Sequence, residues 1–204
     1  REYQVQAVLS QIASAEQFSK TLEDLCQSIH SFLSEVLDTK NFYIAILDSE
    51  LKKLSFPLFI DEYDDHPGTV DFGRGMTEYM LNSKKSLLAH NDDMVRMDEN
   101  GEIALEGTPA KIWLGTPMRI GDHCVGAIVV QSYDDENHFD EGHVNLLEFV
   151  SSQIATSVIA KQAEDKLAVS ERLKELLLDI LTHDLRNPIG SIYNFSELAR
   201  DQFP

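Results

Sequence analysis

The stretch 110–133 reads AKIWLGTPMRIGDHCVGAIVVQSY. Two apolar runs flank Ile120-Gly121-Asp122-His123. Gly121 can take a left-handed turn conformation, so the stretch predicts a β-hairpin. Gly126, inside the second run, leaves room for something to pack closely over that strand. Working upstream, NFYIAILDSE (41–50) and LKKLSFPLFI (51–60) predict two more strands joined near Asp48–Lys52, with Pro57 at an edge or a bulge. Residues 61–75 are polar and glycine-rich and predict a loop. Residues 76–85 fit a short helix, 86–92 a brief strand, and 92–108 an exposed acidic loop with one helical turn.

The flanks switch to helical spacing. Phe18, Leu22, Leu25, Ile29, Phe32, Leu33, Val36 and Leu37 recur at three and four, preceded by Val5, Val8, Leu9 and Ile12. Ser14 to Phe18 marks a weak point between two helices. Downstream, Asp140 can cap a helix whose stripe is Val144, Leu147, Val150, Ile154 and Val158. The pattern continues through Ala163, Leu167, Val169, Leu173, Leu176 and Ile180, widened by Leu177, Leu181 and Leu185. So long an amphipathic helix calls for a partner helix. Residues 160–175 are rich in charge and read as a connector. The fold class expected is therefore α+β. One antiparallel sheet of five or six strands with flanking helices occupies residues 1–160, and a coiled-coil-like helix occupies 161–204.

The chain has 204 residues and a formal net charge of -18, from 35 acidic and 17 basic side chains. Such a surface repels nucleic acid and anionic lipid, so no nucleic-acid partner is expected. Cys26 and Cys124 lie far apart, outside any metal-binding spacing. No apolar run is long enough to span a bilayer and no signal peptide is visible. A cytoplasmic location is expected for this segment. The chain starts at Arg1 without a methionine and stops after a helical pattern, so a piece of a longer protein is expected, with membrane attachment left open. The acidic groups Asp48, then Asp61, Glu62, Asp64 and Asp65, then Asp92, Asp93, Asp98 and Glu99 lack the register of a calcium loop. They read as solvated loops, and no metal site is expected.

Residues 18–160 resemble a GAF domain. The telling segments are WLGTPMRIGDHCVGAIVVQSY (113–133), FDEGHVNLLEFVSSQIATSVI (139–159) and NFYIAILD (41–48). The resemblance implies a pocket between the sheet and the loops 61–75 and 91–108. Phe59, Tyr63, Phe72, Tyr79 and Trp113 are its candidate lining, the other reading being core and lid packing. GAF members bind cyclic nucleotides, haem, tetrapyrroles or other small molecules, or only dimerise. The ligand here is not readable. Neither cysteine sits where bilin-attaching members carry theirs, and both read as buried small hydrophobes. His66, His90 and His123 could each ligate haem iron, but read better as surface-loop residues.

The segment 182–190, THDLRNPIG, carries the other candidate chemistry. His183 and Asn187 are four apart and share a helix face. Asp184, adjacent, can hold one imidazole nitrogen protonated and leave the other nucleophilic. Pro188 removes a helical hydrogen bond, which permits a bend. The same residues also suit a helix C-terminus followed by a turn, and spacing leaves the two readings level. THDLRNPIGSIYNFSEL resembles the H-box of sensor histidine kinases, matched by His183, Asp184, Leu185, Arg186, Asn187 and Pro188. The resemblance implies that His183 accepts the γ-phosphoryl group of ATP and passes it to a response-regulator aspartate. Asp184 would be general base, Asn187 would place water, Arg186 would contact phosphate or the ATP-binding domain, and Pro188 would allow the bend. It implies Mg-ATP held by a separate catalytic domain, a response-regulator receiver domain as partner, and a homodimer through the N-terminal and C-terminal helices. The full-length protein would then be a histidine protein kinase, and this segment, which holds no cofactor of its own, would be inactive alone. The alternatives are a small-molecule-binding GAF regulatory module and a non-catalytic dimerisation module.

Overall fold

The computed structural model describes residues 19–202, with side chains described for 19–182 and 184. The chain divides into two units, Arg1–Lys161 and Gln162–Pro204. The N-terminal stripe Val5, Val8, Leu9 and Ile12 lies outside the described residues.

In chain order the elements are α1 (Leu22–Leu33), β1 (Phe42–Asp48), β2 (Lys53–Ile60), β3 (Thr69–Asp71), α2 (Met76–Ser83) and β4 (Leu87–His90). Then follow α3 (Asn91–Glu99), β5 (Ile112–Ile120), β6 (His123–Ser132) and α4 (Glu141–Gln202). The strands form one antiparallel sheet in the order β3-β2-β1-β6-β5-β4. The hairpin at 110–133 is β5–β6. Its two-residue turn places Gly121 at φ +59°, where a glycine costs nothing. The β1–β2 turn is held by Asp48, whose Oδ1 accepts from the backbone N–H of Glu50 at 3.0 Å and of Leu51 at 2.9 Å.

The period of two in the strands sorts side chains onto two faces. Phe42, Ile44 and Ile46 of β1, with Ile112, Leu114, Ile128 and Val130, meet α1 through Leu25, Cys26, Ile29 and Leu33. The same face meets Leu147, Val150, Ile154 and Val158 of α4. The alternate residues Tyr43, Ala45, Trp113, Ala127 and Val129 meet Met76, Met80 and Leu81 of α2 and Met94 and Met97 of α3. The fold is thus a sheet between two helical layers. Capping follows the sequence. Thr21 and Asp24 form a capping box at α1, and Asp140 Oδ1 accepts from the His143 N–H at 3.1 Å at the start of α4.

Two expectations for the loops are corrected. Within 92–108 lies a full helix, α3, because Met94 and Met97, three apart, bury against the sheet. Residues 61–75 include the short edge strand β3, paired with β2.

Candidate functional site

A cavity of about 530 Å³ lies between the sheet and the loops 61–75 and 104–110. Its floor is aromatic: Tyr43 of β1, Phe56 and Phe59 of β2, and Trp113 of β5. Tyr43 and Phe59 stack with ring centroids 5.5 Å apart, and Phe56 meets Tyr43 edge-on at 5.8 Å. Two phenylalanines three apart on one strand cannot share a face in a regular period of two. They do so here because β2 bulges. Ile44 pairs with Leu58 but Ile46 pairs with Ser55, so the single residue Ala45 opposes both Phe56 and Pro57. The proline supplies no N–H to the ladder and marks the bulge.

The floor carries one polar seam. Trp113 Nε1 donates to the Tyr43 hydroxyl at 3.3 Å, and that hydroxyl bonds Thr77 Oγ1 at 2.9 Å. Burial pushes the Tyr43 hydroxyl up to about 12. The Trp113 ring lies close over Gly115, where a Cβ would meet it at 2.2 Å.

The walls are loops stitched to one another. Asp61 Oδ1 accepts from the Tyr63 and Asp64 N–H groups, and both carboxylate oxygens accept from the Tyr133 hydroxyl at 3.0 Å. Gln131 Nε2 donates to Asp61 at 2.7 Å. Burial and then the Asp61 bond push the Tyr133 hydroxyl well above its ordinary value. Asp64, presented by this turn, accepts from both the N–H and the hydroxyl of Thr108. Gly107 makes that latch possible, since a Cβ there would lie 2.6 Å from Asp64 Oδ2. On the other side the Arg74 carbonyl accepts from the Ala104 N–H at 2.8 Å, and the Arg74 guanidinium donates to the Gly101 carbonyl.

Of the five aromatics expected around a pocket, Phe59 and Trp113 line the cavity. The other three do not. Tyr63 points outward, 59% exposed, and meets Tyr133 edge-on. Phe72 and Tyr79 are half-buried and pack on the core between the sheet and the helices α2 and α3. Tyr43, Phe56, Arg74 and Glu78 also belong to the cavity, outside the residues that the sequence pattern points to. Pro57 inside a strand was the available signal for Phe56.

The other candidates are elsewhere. His66 Nε2 bonds the Phe56 carbonyl at 2.8 Å and its Nδ1 accepts from the Gly68 N–H, so both ring nitrogens hold the loop. His90 precedes α3, where its N–H donates to Asp93. His123 is exposed at the start of β6. Cys26 is fully buried, and its thiol is pushed up to about 12 by desolvation, while Cys124 is only half-buried. Among the described residues no three His, Cys, Asp or Glu side chains gather as metal ligands. No helix among them is long and apolar enough to cross a membrane.

The backbone of 182–190 is helical throughout and α4 continues to Gln202, so no turn occurs at Pro188. The side chains of His183, Arg186, Asn187 and Pro188 lie outside the described residues. Asp184 is exposed. Between Leu167 and Leu181, α4 leaves Leu167, Val169, Leu173, Leu176, Leu177, Leu178, Ile180 and Leu181 each more than half exposed.

The family model described as GAF domain matches residues 19–158. Comparison with curated proteins finds no match. Among solved structures, the GAF domain of an Acinetobacter phosphoenolpyruvate-protein phosphotransferase is similar at 14% identity. The match covers 78% of this chain and 93% of that one, with a TM-score of 0.59. Free methionine-R-sulfoxide reductase from Neisseria meningitidis, solved in complex with its substrate, is similar at 16% identity. Coverage is 78% and 91%, with a TM-score of 0.58. Residues 122 to 287 of a methyl-accepting chemotaxis protein are similar at 15% identity. Coverage is 75% and 98%, with a TM-score of 0.60. At these identities the likeness is one of fold.

Proposed function

The chain belongs to the GAF domain family, and from that premise we propose that it is a regulatory module that binds a small molecule in the cavity above the sheet. The observation that carries the reading is the cavity itself. It has about 530 Å³ of space, an aromatic floor and a wall of loops fastened by a few hydrogen bonds. That volume, with walls that combine aromatic, polar and charged side chains, suits a metabolite-sized ligand. The Neisseria protein of the same fold was solved with its substrate bound, which agrees with the fold's capacity to hold a small molecule. Occupancy would be passed on through the sheet, whose other face carries Leu147 to Val158 of α4.

The test is native mass spectrometry of the chain after incubation with a metabolite extract. A discrete small-molecule adduct is expected on the chain and not on Leu105→Trp, which adds a bulky ring at a partly exposed lining position. No adduct on either, with both folded, would refute the reading.

A second reading, that His183 is a phosphoacceptor, is favoured by one observation: the helix runs on through 182–190 with Pro188 inside it. A turn at Asn187–Gly190 was the competing account of those residues. On this reading a separate catalytic domain supplies Mg-ATP. The P–O bond to ADP breaks, a P–N bond to a ring nitrogen of His183 forms, and Asp184 takes up the proton. Asn187 would later position water, Arg186 would meet phosphate, and a receiver-domain aspartate would take the phosphoryl group. The full-length protein would be a histidine kinase, dimeric through the exposed leucines of α4. Incubation with labelled ATP and a histidine-kinase catalytic domain should label the chain and not His183→Ala. Equal labelling of both would remove His183 from the role.

A further inference from the structure

We infer that the ligand of the cavity is a small organic cation, an ammonium or amidinium group on an apolar body, with Glu78 as its counter-ion. The inference rests on the small-molecule reading and names the chemistry of that ligand.

Charge is the first ground. The cavity is lined by the carboxylates of Asp64, Asp65, Asp71, Glu78 and Glu106, against the single cation Arg74. The excess exceeds that of the whole chain, with 35 acidic and 17 basic residues. The guanidinium of Arg74 is also engaged by the Gly101 carbonyl. A phosphate or carboxylate placed here would sit among like charges.

Glu78 is the second ground, and the more specific one. It stands in the first turn of α2 and is only 9% exposed. Asp64 is satisfied by Thr108, and Asp71 lies 3.6 Å from Lys53. Glu78 has no ion pair among the described residues. Its Oε1 accepts from the Gly73 N–H at 3.1 Å, while Oε2 accepts no hydrogen bond among them. The helix N-terminus offsets part of the cost of holding a carboxylate there. Oε2 is not among the buried atoms that lack a partner, so water reaches it, and a positive group that takes the place of that water gains a charge-assisted bond. A purely structural role, tying the Gly73–Gly75 loop to α2, needs only the oxygen that Gly73 donates to, and a glutamine would supply it.

The aromatic floor is the third ground. The rings of Tyr43, Phe56, Phe59 and Trp113 line the cavity, and aromatic lining both covers apolar groups and attracts cations. The carboxylates do not converge as a set of metal ligands among the described residues. They are spread over two loops, β3 and α2, which suits a charged organic molecule with an apolar body rather than a bare ion.

The experiment is calorimetric titration of the full chain with three probes of one skeleton: phenethylammonium, 2-phenylethanol and 3-phenylpropionate. Phenethylammonium should bind at least about tenfold more tightly than 3-phenylpropionate. Glu78→Gln should keep the fold, weaken phenethylammonium by about tenfold and leave 2-phenylethanol unchanged. Equal or tighter binding of 3-phenylpropionate, or no binding of phenethylammonium, would overturn the cation assignment. Undiminished phenethylammonium binding by a folded Glu78→Gln would remove Glu78 as counter-ion. If Glu78→Gln does not fold, Glu78→Asp decides in its place. It keeps the charge but shortens its reach, and phenethylammonium binding should still exceed that of 3-phenylpropionate. The metabolite-extract experiment does not depend on ligand charge, so its outcome shows separately whether the small-molecule reading stands.

Discussion

Gly115→Ala tests the floor of the cavity with one added methyl group. The built Cβ would lie 2.2 Å, 2.6 Å and 3.0 Å from three atoms of the Trp113 ring. No small adjustment relieves contacts that short, so the indole must swing off the strand. It leaves a site where it is 3% exposed and gives up its bond to the Tyr43 hydroxyl. Overpacking of this kind costs about 1–3 kcal/mol. The lost hydrogen bond adds about 1 kcal/mol. The sum, roughly 2–4 kcal/mol, lowers Tm by roughly 5–15 °C in a domain of this size. Trp113 is the chain's single tryptophan, so its fluorescence reports the displacement directly. Thermal unfolding by circular dichroism, with emission spectra before the transition, should show a lower Tm and a red-shifted maximum. A Tm within about 1 °C of the parent and an unshifted spectrum would refute the close approach and the floor built on it.

Three further outcomes are expected. Asp64→Asn weakens the latch to Thr108, so hydrogen exchange in 104–110 should speed up while the core strands keep their protection. Unchanged exchange in that loop would mean that the latch does not hold it. Tyr43 has a folded-state pKa of about 12, above its unfolded value, so the unfolded chain releases this proton first. Its contribution is whole below pH ~10 and is lost as pH rises toward the folded value, by roughly 2–3 kcal/mol in all. Tm measured from pH 8 to 11 should therefore fall less steeply in Tyr43→Phe than in the parent, and parallel slopes would contradict it. Leu173→Asp with Leu176→Asp places charge in the exposed leucine row of α4. If that row joins two copies, sedimentation should show a dimer for the parent and a monomer for the double variant, and a variant that remains dimeric would place the interface elsewhere.

The sheet was legible because its central strands are short apolar runs, buried on both faces, and its turns carry their own chemistry. Gly121 and Asp48 each announce a reversal that the structure contains. α3 was not, because 92–108 is dominated by charge and its apolar side is only Met94 and Met97. Two residues are too few for a helical period to stand out against an acidic background. The cavity was half legible. Its location followed from the loops, and Phe59 and Trp113 from their aromatic character. Phe56 was hidden by the period of two, which the bulge at Pro57 resets. Tyr63, Phe72 and Tyr79 were equally plausible by composition. Only the path of the loops turns Tyr63 outward and packs the other two on the core. Glu78 looked like an ordinary first-turn helix acid. Its burial comes from the glycine loop 73–75 closing over it, a tertiary feature that no local spacing encodes.

The most direct measurement follows the fluorescence of Trp113 while the chain is titrated with phenethylammonium. The indole forms part of the cavity floor, so occupancy must change its surroundings. A saturable change in emission is predicted, shifted to about tenfold higher concentration in Glu78→Gln. Calorimetric binding with no change at Trp113 would place the ligand elsewhere on the protein and contradict the account.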